Sequence, residues 1–464
     1  MEFIENKNII SIKKYKYGLS ISKDNLNESQ LNILRLSVKP KCINGYGPKP
    51  KPIILYKETQ RRIIVPYYFG TEFLKNISNT TYTLQYDESE NINLIFNGTM
   101  RSEQNIVIEE VLDHFKTDHR CLLNLRCGFG KSIITLKLIT LLKKKTLIIV
   151  HKGFLMDQWA GYIKQFIPEA KIGFIRQNIF EPDCDIIIGM LQSLCMRTYP
   201  KITDIALTII DEAHNICATV FSTVLFKYSS LYMIGLSATP ERKSDGLGCI
   251  LEWTFGKFIT VLADNSQKVN VDIIETGINI VEKKLRFSGN INIQDAINQL
   301  VNNDNRNKQI IVTILKNIKR NILIVTDRVA HVKHLHKLLN DMSIQSSIFI
   351  GGMKQEERNT ATETNNILIA TFQMVKEGFD LPRLDVLIFA TPKKDIIQVV
   401  GRITRKIHND PPLIVDIFDK TSVFERWGYE RFKYYKTKGY GFKKSVKNLE
   451  PIIEIPMNYS DVFE

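Results

Sequence analysis

The sequence has little cysteine and little tryptophan, seven and three among 464 residues. The cysteines are Cys42, Cys121, Cys127, Cys184, Cys195, Cys217 and Cys249; no two form a C-x-x-C pair, and no histidine stands at zinc-finger spacing from such a pair. That spread excludes a small disulfide scaffold and predicts a reduced intracellular protein without structural zinc. Long apolar runs are missing as well. The best, residues 136–150, is broken by Lys143, Lys144 and Lys145. Nothing reaches the roughly 20 apolar residues that a membrane helix needs, so no membrane partner is expected. The opening MEFIENKNII has no basic stretch leading into an apolar one, so no secretory signal is expected.

What is present is ordinary globular material, 44% hydrophobic and 24% charged, which excludes a wholly disordered or collagen-like chain. A length of 464 residues allows about three domains. The formal net charge of +14 suits a polyanionic partner such as nucleic acid, although a soluble basic protein needs no such partner.

Residues 1–98 are rich in Lys, Asn and Tyr. A Pro and Gly cluster, GYGPKPKP, precedes two β-like runs, PIILY and RRIIVPYYF, which predicts a small β-containing N-terminal accessory domain. Over residues 99–262 the runs CLLNL, TLIIV, DIIIG, LTIID and YMIGL alternate with helix-like stretches. Continuous apolar strands of this kind belong to a parallel sheet covered on both faces. Residues 263–308 are polar and Asn-rich and read as a connection; NILIVTD, SIFIGG, NILIATF, DVLIFA and PPLIVDIF then resume the α/β rhythm within residues 263–464. The tail FERWGYERFKYYKTKGYGFKK reads as a helix ending near Gly439. Arg431, Lys433, Lys436 and Lys438, interleaved with Tyr434, Tyr435 and Tyr440, form a solvated basic face on it or add affinity for a polyanion.

After CLLNL comes Arg126-Cys127-Gly128-Phe129-Gly130-Lys131-Ser132, followed by the apolar IITLKLITLL. Strand, Gly-rich turn and helix is the context of a phosphate-binding loop. Gly128 and Gly130 let the backbone wrap an anion, and the helix N-terminus favours it. Lys131 then meets the β- and γ-phosphates of ATP, and Ser132 ligates Mg²⁺. The first glycine of the usual GxxxxGK[ST] pattern is absent, Leu125 standing in its place.

Downstream, LTII ends in Asp211-Glu212-Ala213-His214. Ligands of open α/β sheets bind outside the carboxyl ends of strands, which places Asp211 to hold Mg²⁺ and Glu212 to polarise the attacking water.

With these two elements the sequence resembles superfamily 2 helicases of the DExH type, over eight motifs in order. Residues 125–132 resemble motif I, 146–159 motif Ia, 185–194 motif Ib, 211–214 motif II and Ser237-Ala238-Thr239 motif III. NILIVTDR resembles motif IV, ILIATFQMVKEGFDLP motif V, and Gln398-Val399-Val400-Gly401-Arg402-Ile403-Thr404-Arg405 motif VI. CGFGKS, GLSATPER and QVVGRITRK are most similar to the branch of the XPB repair and transcription helicases; the closer resemblance, which the N-terminal LSVKPKC…YKETQRRIIVPYYFG stretch fits, is to helicases of large cytoplasmic DNA viruses, the poxvirus transcript-release helicase among them.

The resemblance implies two tandem RecA-like parallel-sheet lobes that use ATP and Mg²⁺ to move along nucleic acid, DNA rather than RNA. It implies work in viral transcription or repair, in the host cytoplasm and the virion, with viral RNA polymerase or transcription factors as protein partners. An RNA helicase and a non-catalytic nucleic-acid-binding transcription scaffold are the alternatives. By family position Arg405 is the arginine finger and Arg402 meets the γ-phosphate, both facing one way if they share a helix. Gln104, with Met100-Arg101 before it, resembles the adenine-reading glutamine, against a plain surface polar residue. Gly378 and Asp380 of motif V report on ATP; His214, Ser237, Thr239 and Gln398 couple hydrolysis to movement. Lys152, Gln192, Arg328 and Thr371 are the candidate contacts to nucleic acid, each weighed against a surface role.

Overall fold

The computed structural model describes residues 13–15, 18–39, 53–77, 91–126, 128–200, 202, 204–218, 220–228, 230–237, 247–261, 268–285, 289–376, 381–404, 406 and 408–442. The chain divides into two compact units, Met1–Ala263 and Asp264–Glu464.

The first unit holds two sheets. Strands β1 (Lys13–Tyr15), β2 (Gly18–Ser22), β3 (Lys57–Glu58) and β4 (Arg62–Val65) pair antiparallel in the order β1-β2-β4-β3. Of the run RRIIVPYYF only Arg62–Val65 is strand. Pro66, which has no N–H to give a ladder, ends it, and Tyr67–Ile77 is a helix. Residues 53–56 of PIILY lie outside any strand, with Ile53 and Leu55 buried. This small sheet has no core of its own. Leu19, Ile21, Ile63, Val65 and Leu74 share one apolar cluster with Ile149, Ile187 and Phe255, and the Tyr68 hydroxyl donates to the Arg120 carbonyl at 3.1 Å.

The second sheet comprises β5 (Arg120–Asn124), β6 (Thr146–Val150), β7 (Ile172–Arg176), β8 (Ile179–Phe180), β9 (Ile186–Met190), β10 (Leu207–Ile210), β11 (Tyr232–Ser237) and β12 (Lys257–Thr260), in the order β12-β5-β11-β10-β6-β9-β7-β8. All its pairings are parallel except β7 with β8. Neighbouring side chains go to opposite faces of a strand. Leu147 and Ile149 accordingly join one core cluster while Ile148 and Val150 join the other. Both faces are covered, which is why these strands read as unbroken apolar runs.

In the second unit β13 (Asn270–Glu275), β14 (Ile322–Thr326), β15 (Ser347–Phe349), β16 (Ile367–Thr371), β17 (Val386–Phe389), β18 (Leu413–Phe418) and β19 (Gly441–Phe442) form one parallel sheet, ordered β15-β16-β14-β17-β18-β13-β19. The polar stretch 263–308 is therefore no simple connection. It supplies β13 and the helices Ile293–Val301 and Asp304–Lys316. The mixed polarity of β13 misled the pattern reading: only Val269 and Val271 of VNVDII are fully buried there. The tail forms the helix Ser422–Thr437 and ends before Gly439. Its basic face excludes Arg431, which is 1% exposed and donates two hydrogen bonds to Asp416, at 2.8 and 2.7 Å.

A buried histidine makes this unit sensitive to acid. Asn307 Nδ2 donates to the Val301 carbonyl, so its Oδ1 accepts from His331 Nε2 at 2.9 Å; His331 Nδ1 then accepts from the Thr326 hydroxyl at 2.8 Å. That tautomer is neutral. Burial first, then the charge on Arg306, lowers the His331 pKa to about 3 from 6.5. Between those values the unfolded chain binds a proton that the folded chain refuses. Stability should fall as pH drops below 6.5, by up to about 1.4 kcal/mol per pH unit. Urea melts at pH 7 and pH 5 of the wild type and His331→Gln check this. The variant should be weaker at pH 7 yet show a flatter pH dependence; equal slopes would refute the assignment.

Candidate active site

Strand order decides what meets at the carboxyl edge of the first unit's large sheet. β5 and β6 are successive in the chain, yet β11 and β10 lie between them. The turn after β5, Ser237 at the end of β11 and Asp211 after β10 consequently emerge side by side, with Asn124 paired to Ser237 and Ile210 to Gly235.

The turn is built for close backbone approach. Gly128 and Gly130 have φ of 78° and 91°, a region that side chains disfavour. A Cβ on Gly130 would stand 2.4 Å from Gln104 Nε2. The helix Lys131–Leu142 starts directly from Gly130. The Lys131 ammonium donates to the Leu125 carbonyl at 2.9 Å, so the residue in place of the usual glycine serves through its backbone while its side chain is fully buried. Phe129 is also buried, at 1% exposure. Its carbonyl accepts from Gln104 Nε2 at 2.8 Å and from Arg101 Nη2 at 2.5 Å. Gln104 Oε1 in turn accepts from the Arg101 backbone N–H at 3.0 Å. Gln104, 6% exposed, is thus no plain surface residue: its Nε2 holds the loop while its Oε1 caps its own helix. Arg126 is exposed beside Glu103 at 3.5 Å, and Ser132 is half-buried at the helix start. Cys127 lies outside the described residues.

The acid pair stands next to the loop. Asp211 Oδ2 accepts from the Trp159 indole N–H at 2.9 Å and Oδ1 from the Glu212 backbone N–H at 3.0 Å. Burial pushes the Asp211 carboxyl up from its ordinary range, and the neighbouring Glu212 adds to this; the indole hydrogen bond and Lys131 oppose it. Glu212 has φ of 48°, a left-handed conformation that costs a side-chain residue about 1–3 kcal/mol and is kept where the surroundings enforce it. His214 Nδ1 lies 3.4 Å from Glu212 Oε2 and 3.3 Å from the Ser237 hydroxyl. That histidine joins the ends of β10 and β11 around the carboxylate. Thr239 lies outside the described residues.

Other predicted residues are placed separately. Lys152 precedes the helix Gly153–Phe166, and Gln192 Nε2 donates to the His151 carbonyl at 2.8 Å. In the second unit Arg328 is held by Asn298 Oδ1 at 3.0 Å and by Gln294. Thr371 closes β16 and lines a cleft of about 500 Å³ with Asp327, Gly351, Phe372, Gln373 and Lys393. Gln398 is half-buried in the short helix Ile397–Val400. That helix stops before Arg402, which sits in the following turn, 6% exposed, so the premise that Arg402 points from a helix is not met. Arg405, Gly378 and Asp380 lie outside the described residues.

Sequence reasoning missed Trp159 and Arg101 as parts of this site. Trp159 closes the motif Ia stretch 146–159, but it lies 52 residues from Asp211 in the chain and nothing in that stretch points to the carboxylate. Arg101 was legible only as a neighbour of Gln104.

No group of three or more His, Cys, Asp or Glu side chains among the described residues is arranged to hold a metal. A Mg²⁺ ion needs none, being held by one or two carboxylates together with substrate phosphates. The oxygen donors Asp211 and Ser132 fit it, and the two hydrogen-bond donors on Asp211 are both neutral.

Comparison with known proteins identifies the family. Residues 97–242 match the family described as type III restriction enzyme, res subunit, and residues 305–407 the helicase conserved C-terminal domain. A protein of Acanthamoeba polyphaga mimivirus named as an ATP-dependent RNA helicase is 30% identical, over 94% of this chain and 87% of its own. A protein of invertebrate iridescent virus 6 named as a helicase is 28% identical, over 92% of this chain and 99% of its own. The crystal structure of T4 UvsW aligns over 94% of this chain and 98% of its own, with a TM-score of 0.41 and 18% identity. Family models on both α/β units and a relative matched over nearly the whole length leave one conclusion: the chain belongs to the superfamily 2 helicases of the type found in large DNA viruses, and it is an ATP-dependent helicase enzyme.

Proposed function

We propose that the chain hydrolyses ATP at the edge formed by β5, β11 and β10 to move along a DNA strand in viral transcription, as in transcript release, or in repair. The observation that supports this reading is the meeting of the Lys131 loop with the Asp211–Glu212 pair and the His214–Ser237 bridge. Lys131 has three ammonium donors and spends one on Leu125; the others take β- and γ-phosphate oxygens. Asp211 and Ser132 would hold Mg²⁺, which when bound neutralises phosphate charge. Glu212 orients the attacking water and takes its proton. His214 fixes Glu212 relative to the end of β11. Gln104 and Arg101 hold the loop at Phe129; by family position Gln104 is proposed to face adenine with the second amide proton and second lone pair that these contacts leave. Arg402 and Arg405, with the motif V residues Gly378 and Asp380, are assigned to the γ-phosphate side by family position. Gln398 and Thr239 are assigned to coupling.

Lys152, Gln192, Arg328 and Thr371 are the proposed strand contacts. Phosphate contacts position a protein and carry little sequence information, so binding should be insensitive to sequence and fall steeply with salt. Residues 1–98 are proposed as an accessory domain, 99–262 as the ATP-binding lobe and 263–464 as the second lobe. The choice of DNA rests on resemblance to the XPB branch; the mimivirus relative carries the name of an RNA helicase, which favours the second reading. ATPase assays with single-stranded DNA, duplex DNA and RNA in parallel, followed by strand displacement, separate them. Stimulation by DNA above RNA supports the proposal; stimulation by RNA alone overturns it.

A further inference from the structure

We propose that Trp159 is a positioning residue for the metal-holding carboxylate, fixing the plane of Asp211 through its indole N–H. The proposal rests on the reading of Asp211 as the Mg²⁺ ligand. One hydrogen bond to one oxygen would leave the Asp211 carboxylate free to turn about its own axis. The Glu212 backbone N–H holds Oδ1 at 3.0 Å, and that bond comes from the adjoining residue of the same turn. The indole holds Oδ2 at 2.9 Å from a different element, the helix Gly153–Phe166. Two bonds to two oxygens from two directions define the plane. Each carboxylate oxygen accepts more than one hydrogen bond or metal contact, so both retain a lone-pair direction for a metal ion or its water.

Trp159 can serve as a fixed point because it does not move easily itself. It is 1% exposed and packs in the core cluster formed by Ile148, Val150, Leu155 and Ile163. A buried indole N–H needs an acceptor. Here that acceptor is the Asp211 carboxylate, directly after β10. The backbone beneath is fixed too, since the Asp211 N–H donates to the Ile149 carbonyl at 2.9 Å. The same helix begins beside Lys152, a proposed strand contact, so one rigid element touches both.

Partners that orient a metal ligand typically change metal affinity about 10–100-fold when removed. The test uses the full chain and Mn²⁺ as the probe, with ADP, read by electron paramagnetic resonance. Trp159→Phe keeps an aromatic ring and loses the N–H; benzothienylalanine at position 159 keeps the whole two-ring shape and loses only the N–H, and it decides the matter if the phenylalanine variant does not fold. Mn²⁺ affinity of the ADP complex should fall about tenfold or more in both, with ADP binding in EDTA unchanged. Unchanged Mn²⁺ affinity overturns the proposal. So does an equal loss of metal-free ADP binding, which would mark a general disturbance of the fold. Asp211→Asn is the companion arm. If it weakens Mn²⁺ binding while the Trp159 variants do not, only the role of Trp159 falls; if it too leaves Mn²⁺ affinity intact, the reading of Asp211 falls with it.

Discussion

Lys131→Ala and Glu212→Gln should each nearly abolish nucleic-acid-stimulated ATP hydrolysis. The two losses have different physical origins. Lys131 heads the helix Lys131–Leu142 and, in the proposed site, would place its compact charge against the γ-phosphate. Removing one such preorganised donor costs about 10²–10³ in turnover. Glu212 is held in a left-handed turn beside His214, and losing a positioned base costs about 10²–10⁴. Glutamine keeps the shape and some hydrogen bonding of Glu212, so that variant should still bind ATP, whereas Lys131→Ala should bind it more weakly. Steady-state turnover with saturating polynucleotide, together with fluorescent-nucleotide binding, separates the two. Wild-type turnover in either variant would remove the proposed site.

The largest expected loss of stability is in the second unit. Arg306 and Asp419 are both fully buried and joined by two hydrogen bonds, at 2.9 and 2.8 Å. Arg306 also donates to the Ala390 carbonyl at 2.6 Å, and the Thr276 hydroxyl donates to Asp419 at 2.9 Å. The pair ties the helix Asp304–Lys316 to the ends of β17, β18 and β13. Arg306→Met leaves Asp419 buried with the Thr276 hydroxyl as its remaining donor, and should destabilise by about 3–5 kcal/mol. Changing both residues to apolar ones of similar volume should cost less than that single change, since much of the loss is the stranded charge. By contrast, breaking Lys145–Asp204, whose aspartate is 53% exposed, should cost no more than about 1 kcal/mol. Urea denaturation of these three variants beside the wild type measures this. A loss under about 1 kcal/mol for Arg306→Met would contradict the buried-pair argument.

Motif residues were legible because their positions follow from local pattern. An apolar strand, a Gly-rich turn and an apolar helix can be read within a few residues, and so can a strand that ends in two acids. β5, β6, β9, β10 and β11 fall on the expected runs to within a residue or two. The failures have local causes too. β13 alternates Asn, Val and Asp with Ile and did not look like a buried strand. Pro66 turned an apparent strand into a helix start. Arg431 looked like part of a solvated basic face, but Asp416, on β18, draws it into the core, where Tyr435 donates to the same carboxylate at 2.9 Å.

Sequence alone was enough to set the chemistry on offer: a phosphate-wrapping turn, a lysine, an acid pair and an ordered series of helicase motifs. Tertiary structure alone chose the partners. That Trp159 holds Asp211, that Gln104 and Arg101 hold Phe129, and that Arg306 meets Asp419 depends on strand order and register, which bring together residues 52, 25, 28 and 113 positions apart. Hydrophobic periodicity records which face of an element is buried; it carries no information on which distant element will lie against that face.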